Sequence, residues 1–372
     1  MTRQDKRAFK YRFYPTGEQA AELSRTFGCV RLVCNRALEE RTRAWYGEQR
    51  RVSYVQSSVA LTQWKKAEES AFLAEVSSVP LQQVLRHLRT AFGNFVAQGS
   101  KYPRFKSWKK SCASAEYTRS AFTWREGRLT LAKMAGSLDI RWSSPLPEGS
   151  VPTTVTVSRD SAGRWFVSLL CDDRITPAPA TQNAVAIDAG ITSFVTLSTG
   201  EKVTDPRHER RDRARPAKAQ RELSRKTKGS TNREKARKRV ARVHARIADR
   251  RRDHLHKLST RLVRENQTVV IEDLAVRNLL KNGRLARAVS EASWTELRSM
   301  LEYKCAWYGR EIVVIDRAVH DRDLNAARNI LAAELAVSAC GDGVRPQRES
   351  SRTGQSSVKQ EPQRATVGIP RL

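Results

Sequence analysis

The sequence predicts an α+β multidomain protein in three parts: a helical lobe, a small β-barrel or sandwich, and an α/β domain built on an open sheet. Three observations carry this. Residues 15–99 repeat apolar side chains at helical spacing. Residues 101–173 break into short β-rich pieces between Gly and Pro turns. Beyond Pro177 and Pro179, four-residue apolar runs alternate with one long basic helical stretch. At 372 residues the chain has room for two or three cores.

Charge narrows the function classes. The net charge is +30, from 69 Lys and Arg against 39 Asp and Glu, which points to a polyanionic partner, nucleic acid first of all. No apolar stretch approaches the roughly 18 to 20 residues that span a bilayer. Met1 to Lys10 lacks the apolar region of a signal peptide. A cytoplasmic, nucleoid-associated protein with no membrane partner is expected. Cys29, Cys34, Cys112, Cys171, Cys305 and Cys340 lie far apart, with no Cys-x2-Cys pair, so they read as reduced thiols that fill cores.

Taken in order, Arg7 to Tyr14 alternate apolar and basic residues, the period of a strand with one wet face, and Pro15 ends it. Thr16, with Glu18 and Gln19 behind it, opens a helix carrying Leu23, Phe27, Val30, Val33 and Leu38. After Pro80, Leu81, Val84, Leu85, Leu88, Ala91, Phe92 and Phe95 form the face of a second helix. The helical lobe therefore spans 15–99. Ala121–Trp124, Leu129–Leu131, Val155–Val157 and Trp165–Leu170 supply strands for a barrel over 100–176, which residues 1–14 could complete. Within it, Lys101-Tyr102-Pro103-Arg104-Phe105-Lys106-Ser107-Trp108-Lys109-Lys110 interleaves aromatics with cations. That composition suits base stacking and phosphate binding through Arg104, Lys106 and Trp108, and equally a basic linker with anchoring aromatics.

The α/β domain is read over 182–335. Its strands are Ala184–Ile187, Phe194–Leu197, Thr268–Ile271 and Ile312–Ile315. Between the second and third, a basic helical hairpin over 207–262 turns at Gly229-Ser230-Thr231. From Arg207 to Lys257 it holds 21 Lys and Arg against six acids. A narrow stripe from Ala236 to Leu262 leaves the rest of its surface cationic, including Arg237, Lys238, Arg239 and Arg242. So large an excess of one sign repels itself unless phosphates neutralise it. From Gly341 onward the chain lacks core formers, and 336–372 is expected to be a disordered tail.

Three acids stand out. Asp188 and Glu272 each follow an apolar run, where the carboxyl ends of strands border a crevice in an open α/β sheet. Asp323 opens an alanine-rich helix in Asp-Arg-Asp-Leu-Asn-Ala-Ala-Arg-Asn-Ile. Singly, each reads as a helix cap or loop residue. Together they would form an oxygen-rich site suited to Mg²⁺ or Mn²⁺ and to phosphodiester hydrolysis.

Ile-Asp-Ala-Gly, Val-Ile-Glu-Asp-Leu and the Asp323 motif, with Tyr102-Pro103-Arg104-Phe105-Lys106-Ser107 and Ser293-Trp294 through Lys304, resemble the TnpB/OrfB proteins of bacterial insertion sequences. These are transposon relatives of type V CRISPR effectors. The resemblance spans nearly the whole chain. It implies an RNA-guided DNA endonuclease with guide RNA and target DNA as partners, a wedge-like β-barrel, a helical recognition lobe with a helix-turn-helix-like N-terminal segment, and a RuvC-like nuclease domain of RNase H type. Asp188, Glu272 and Asp323 would be its catalytic, metal-binding acids.

The chain departs from that family in one place. Members carry a four-cysteine zinc ribbon between the strand matching Ile312–Ile315 and the last acidic motif. Here only Asp316-Arg317-Ala318-Val319 precede His320, so zinc is not expected. The ribbon's loss keeps open an alternative, a nuclease-impaired RNA- or DNA-binding protein that occupies its target as a repressor-like product. A DDE-type transposase is a third, weaker reading of the N-terminal helices. The oligomeric state is not legible.

Overall fold

The computed structural model describes residues 3–108, 112–147, 149–190, 193–204, 206, 212, 214–274, 276–283 and 286–316. Strand β1 (Arg3–Phe13) buries Tyr11 and Phe13. Helix α1 (Gly17–Glu48) starts at a capping box in which Gln19 N–H donates to the Thr16 hydroxyl and Thr16 N–H donates to the Gln19 side chain. It stops where Gln49 turns left-handed. A second capping box, Ser53 with Gln56, starts α2 (Tyr54–Lys66). Helix α3 (Ser78–Val96) carries Pro80 in its first turn, where a missing N–H costs no helical bond. Leu23, Val30 and Leu38 of α1 share one buried cluster with Leu81, Val84 and Leu85 of α3.

Six further strands follow: β2 (Ala113–Thr118), β3 (Phe122–Arg125), β4 (Arg128–Leu131), β5 (Ile140–Arg141), β6 (Pro152–Arg159) and β7 (Trp165–Ile175). The order β2-β6-β7-β1-β5 makes one antiparallel sheet, and β3 with β4 forms a separate hairpin. Strand β1 pairs with β7 from Arg3↔Ile175 to Phe13↔Trp165, so α1 to α3 are inserted between the first and second strands of the lobe. The expected barrel is instead an open sheet among the described residues. Closure would need the two edges to pair. The β5 edge is two residues long, joined to β1 only at Arg12↔Arg141 and Phe13↔Ile140, too short to carry the sheet round to β2.

The second sheet has the order β10-β9-β8-β11-β12, from β8 (Ala184–Ala189), β9 (Val195–Leu197), β10 (Lys202–Val203), β11 (Thr268–Asp273) and β12 (Glu311–Asp316). Strands β8 to β10 are antiparallel, while β11 runs parallel to both β8 and β12. The basic hairpin is α4 (Ala214–Ser224) and α5 (Thr231–Glu265). Gly229 takes φ 86° at the turn, and Arg233 donates back to the carbonyls of Leu223 and Lys226, closing the end of α4. Then come α6 (Val276–Leu279), α7 (Ala286–Ala292) and α8 (Trp294–Tyr308). One face of the sheet, Val185, Ile187, Val269 and Ile271, packs against Leu258 and Leu262 of α5 and Leu297 and Leu301 of α8. Truncating one of these leucines to alanine would cost roughly 2 to 5 kcal/mol.

Among the described residues, two arginines make contacts between the sheets' lobes. Arg164, in the turn between β6 and β7, is bonded to Asp249 of α5. Arg7 of β1 pairs with Asp173 at 3.3 Å and lies over the Trp307 ring of α8 at 4.5 Å.

Candidate active site and nucleic-acid interface

The parallel pairing of β8 and β11 runs from Ala184↔Thr268 to Ile187↔Ile271. Asp188 and Glu272 are the next residue on each strand, so the two acids stand at the carboxyl ends of neighbouring strands at the same level. Alternation then fixes their side of the sheet. Ile187 and Ile271 face the α5 and α8 core, whereas Ala186 and Val270 belong to a second buried cluster on the opposite face. Asp188 and Glu272 share that opposite face, and both are half-buried.

The same alternation separates Glu272 from the acid beside it. Asp273 points to the helical face, where Arg298 of α8 donates to it and also to Glu302. The hydrogen bond that Arg298 donates to Glu302 raises the Arg298 pKa, with the one to Asp273 adding to it, against the opposing effect of burial. Gly190, two residues after Asp188, sits in close contact with Ser193. A Cβ on Gly190 would lie 2.9 Å from the Ser193 carbonyl oxygen, so only glycine fits. Trp294, buried at the start of α8, donates its indole N–H to the Phe194 carbonyl at 3.2 Å and holds β9 beside β8.

Among the described residues no group of three His, Cys, Asp or Glu is arranged to hold a metal. Asp323 and His320 lie outside the described residues, as does the tail over 336–372. The two strand-end carboxylates are hard oxygen donors on one face, a fit to part of the ligand set of Mg²⁺ or Mn²⁺.

The predicted nucleic-acid residues divide. The Tyr102–Trp108 segment is fastened to the helical lobe. Asn35 Nδ2 donates to the Lys106 carbonyl at 3.0 Å and Lys106 N–H donates to Asn35 Oδ1 at 2.7 Å. Tyr102 packs edge-on against Phe92 and Phe95. Tyr102 is therefore an anchor, while Phe105 and Trp108 stay exposed at 58% and 70%. A cleft of about 620 Å³ opens between α1, this segment, the β6–β7 turn and α5. Lys106, Trp108, Arg237 and Lys238 line it together. Arg104 and Arg242 are exposed but outside its lining, and Arg239 is drawn toward α4 by Glu222 at 2.7 Å. Sequence reasoning missed Arg31, which lies over the Trp108 ring at 4.8 Å, and Arg159, which also lines the cleft. Both come from segments far from the basic runs, and only the fold brings them here.

The IS605 OrfB model, described as a probable transposase, matches residues 151–283, and a helix-turn-helix model of the same group matches 1–50, the stretch that holds β1 and α1. A Streptomyces pristinaespiralis protein, provisionally named an RNA-guided DNA endonuclease, is 77% identical over 402 residues, covering 100% of both chains. The chain belongs to the TnpB/OrfB family. InsQ of Escherichia coli K12, a TnpB/OrfB relative with the same provisional name, is 31% identical over 401 residues, covering 95% of this chain and 97% of its own. The TnpB/OrfB fold seen here is similar to that of the protein in a Cas12f1–sgRNA–target DNA complex, with a TM-score of 0.54 at 12% identity, covering 88% of this chain and 98% of that one. Among the described residues no helix is long and apolar enough to cross a membrane.

Proposed function

We propose that this TnpB/OrfB member is an RNA-guided DNA endonuclease that hydrolyses phosphodiesters at a RuvC-like site of Asp188, Glu272 and Asp323. The observation that carries the reading is the placement of Asp188 and Glu272 at one level and on one face of adjacent parallel strands. Bound Mg²⁺ or Mn²⁺ would activate water and stabilise the leaving oxygen. The carboxylates would hold the ion and keep the scissile phosphate beside it, while the Trp294 indole N–H, bonded to the Phe194 carbonyl, ties the start of β9 to α8. On this reading residues 1–14 and 100–176 serve as the wedge, 15–99 as the recognition lobe and 182–335 as the nuclease domain. The names of the relatives support guide RNA and target DNA as partners.

The alternative is a protein that binds RNA and DNA without cutting. The alignment to the Streptomyces relative runs over 402 residues against the 372 of this chain, which is consistent with a missing internal module such as the zinc ribbon. One experiment separates the two. The protein is purified, its co-purifying RNA sequenced, and the complex incubated with a plasmid library matching that RNA, with and without Mg²⁺. Cleavage with Mg²⁺ that Asp188→Ala abolishes supports the nuclease; binding without cleavage under all ions tried supports the alternative.

A further inference from the structure

The 620 Å³ cleft unites features that composition gave to separate segments. Trp108 offers an indole that is 70% exposed, with Arg31 over one ring face. An exposed aromatic backed by a guanidinium is a platform on which a flat base stacks. Across the cleft, Lys238 and Arg159 carry cations that make no ion pair among the described residues. The acids of the lining are engaged: Glu234 by Arg237 at 2.7 Å, and Asp160 by Arg164 at 2.7 Å.

Gly28 also borders the cleft. It lies inside α1, where glycine weakens a helix, on the same face as Arg31. The fold does not require it, since a Cβ there would meet nothing within 4 Å. What the missing side chain leaves is room beside the Trp108 platform. The cleft's volume lies in the range of sites for small ligands, enough for a nucleotide and too small for a duplex.

We propose that this cleft binds one unpaired nucleotide of a nucleic-acid strand, its base stacked on Trp108 beside Gly28 and its flanking phosphates held by Lys238 and Arg159. The inference deepens the reading above and rests on it only for which polymer enters. RNA and single-stranded DNA share the chemistry required, an exposed base and a phosphate on either side. Within a duplex each base is already paired and stacked, and its end is too wide for the cleft, so duplex should interact with these cations from outside.

The test measures binding of the full chain to labelled oligonucleotides of about ten nucleotides, within the span of single-strand sites, as RNA, as DNA and as a blunt DNA duplex. Trp108→Ala should weaken single-strand binding by about 5- to 150-fold, the range for loss of one base–aromatic stack, with Trp108→Phe restoring most of it. Gly28→Leu should weaken it too without lowering the melting temperature, because it fills the cleft and not the core. Duplex binding should change less than about two-fold in these variants. Loss on RNA identifies the guide as occupant; loss on DNA identifies a separated DNA strand. Unchanged single-strand binding in Trp108→Ala, or an equal loss on duplex, overturns the proposal. No step requires cleavage, so an inactive nuclease would sink the earlier reading and leave this one standing.

Discussion

The ammonium of Lys304 in α8 donates to the Ser259 hydroxyl of α5 at 2.7 Å, deep in the interface between the two helices. It also donates to the Thr260 hydroxyl and the His256 carbonyl. Burial, with the Arg264 charge adding to it, pushes the Lys304 pKa down to about 8. The folded state therefore loses this proton at lower pH than the unfolded chain, where lysine titrates near 10.4. Between these values the unfolded state binds more protons, so stability should rise with pH from about 8 to 10, by at most roughly 3 kcal/mol. Lys304→Met should flatten that rise in urea melts at the two ends of the window. It should cost little at pH 7.5, because Ser259 and Thr260 keep the Leu255 and His256 carbonyls as acceptors. An equal pH slope in both proteins would mean Lys304 is not the group responsible.

The pair Arg164 and Asp249 joins the antiparallel lobe to the basic helix. Both side chains are partly solvated, at 22% and 52% exposure, so the pair alone should contribute about 0 to 1 kcal/mol. Arg164 is also held by Asp160, which pre-orients it. A double-mutant cycle with Arg164→Ala and Asp249→Ala should give a coupling near the upper end of that range at low salt, falling as salt is raised. A coupling of zero would show that the lobes are held together by other contacts.

How much of this was legible in the sequence differs by element. The Arg7–Tyr14 alternation and the Thr16 and Gln19 pair are local signals, and β1 and α1 follow them. The apolar run after Pro80 likewise falls in α3. Helix α2 was not anticipated, although its own capping box, Ser53 with Gln56, was there to be read. Strand β2 was missed because Ala-Ser-Ala-Glu-Tyr-Thr is a polar edge strand, and β10 because two residues carry no period. Whether the five strands of the antiparallel sheet close into a barrel is decided by pairing between distant edges, which no local pattern encodes. The level and face shared by Asp188 and Glu272 follow from strand parity once β8 and β11 are neighbours. Arg31, Arg159 and Gly28 could not be found this way, since their importance is a matter of what packs opposite them.

The cations of α5 should not contribute equally to salt dependence. Lys238 and Arg242 make no ion pair among the described residues, whereas Arg239 is held by Glu222 and Arg237 by Glu234. Each phosphate contact steepens the log-log salt dependence by roughly 0.9 on duplex DNA. Replacing all four with Gln should flatten the slope by up to about 3 to 4 units. Singly, Lys238→Gln and Arg242→Gln should each approach one unit, and Arg239→Gln should fall well short. Affinities from low to high salt decide this, and identical single-site effects would mean that the Glu222 pair opens on binding.

Two neighbouring acids on β11 give the sharpest test of the proposed nuclease site. Glu272 lies on the face shared with Asp188, while Asp273 lies on the helical face with Arg298. Glu272→Ala should therefore abolish Mg²⁺-dependent cleavage and leave nucleic-acid binding nearly intact, as should Asp188→Ala. Asp273→Ala removes a charge one residue away, yet should retain most cleavage. Its expected cost is in stability, about 0 to 1 kcal/mol for a partly solvated pair, since Arg298 keeps Glu302 as its partner. Cleavage and melting temperature measured on the three variants separate the two roles. Loss of cleavage in Asp273→Ala with activity kept in Glu272→Ala would show that the strand presents the other face to its substrate, and the assignment of Asp188 on that same parity would fall with it.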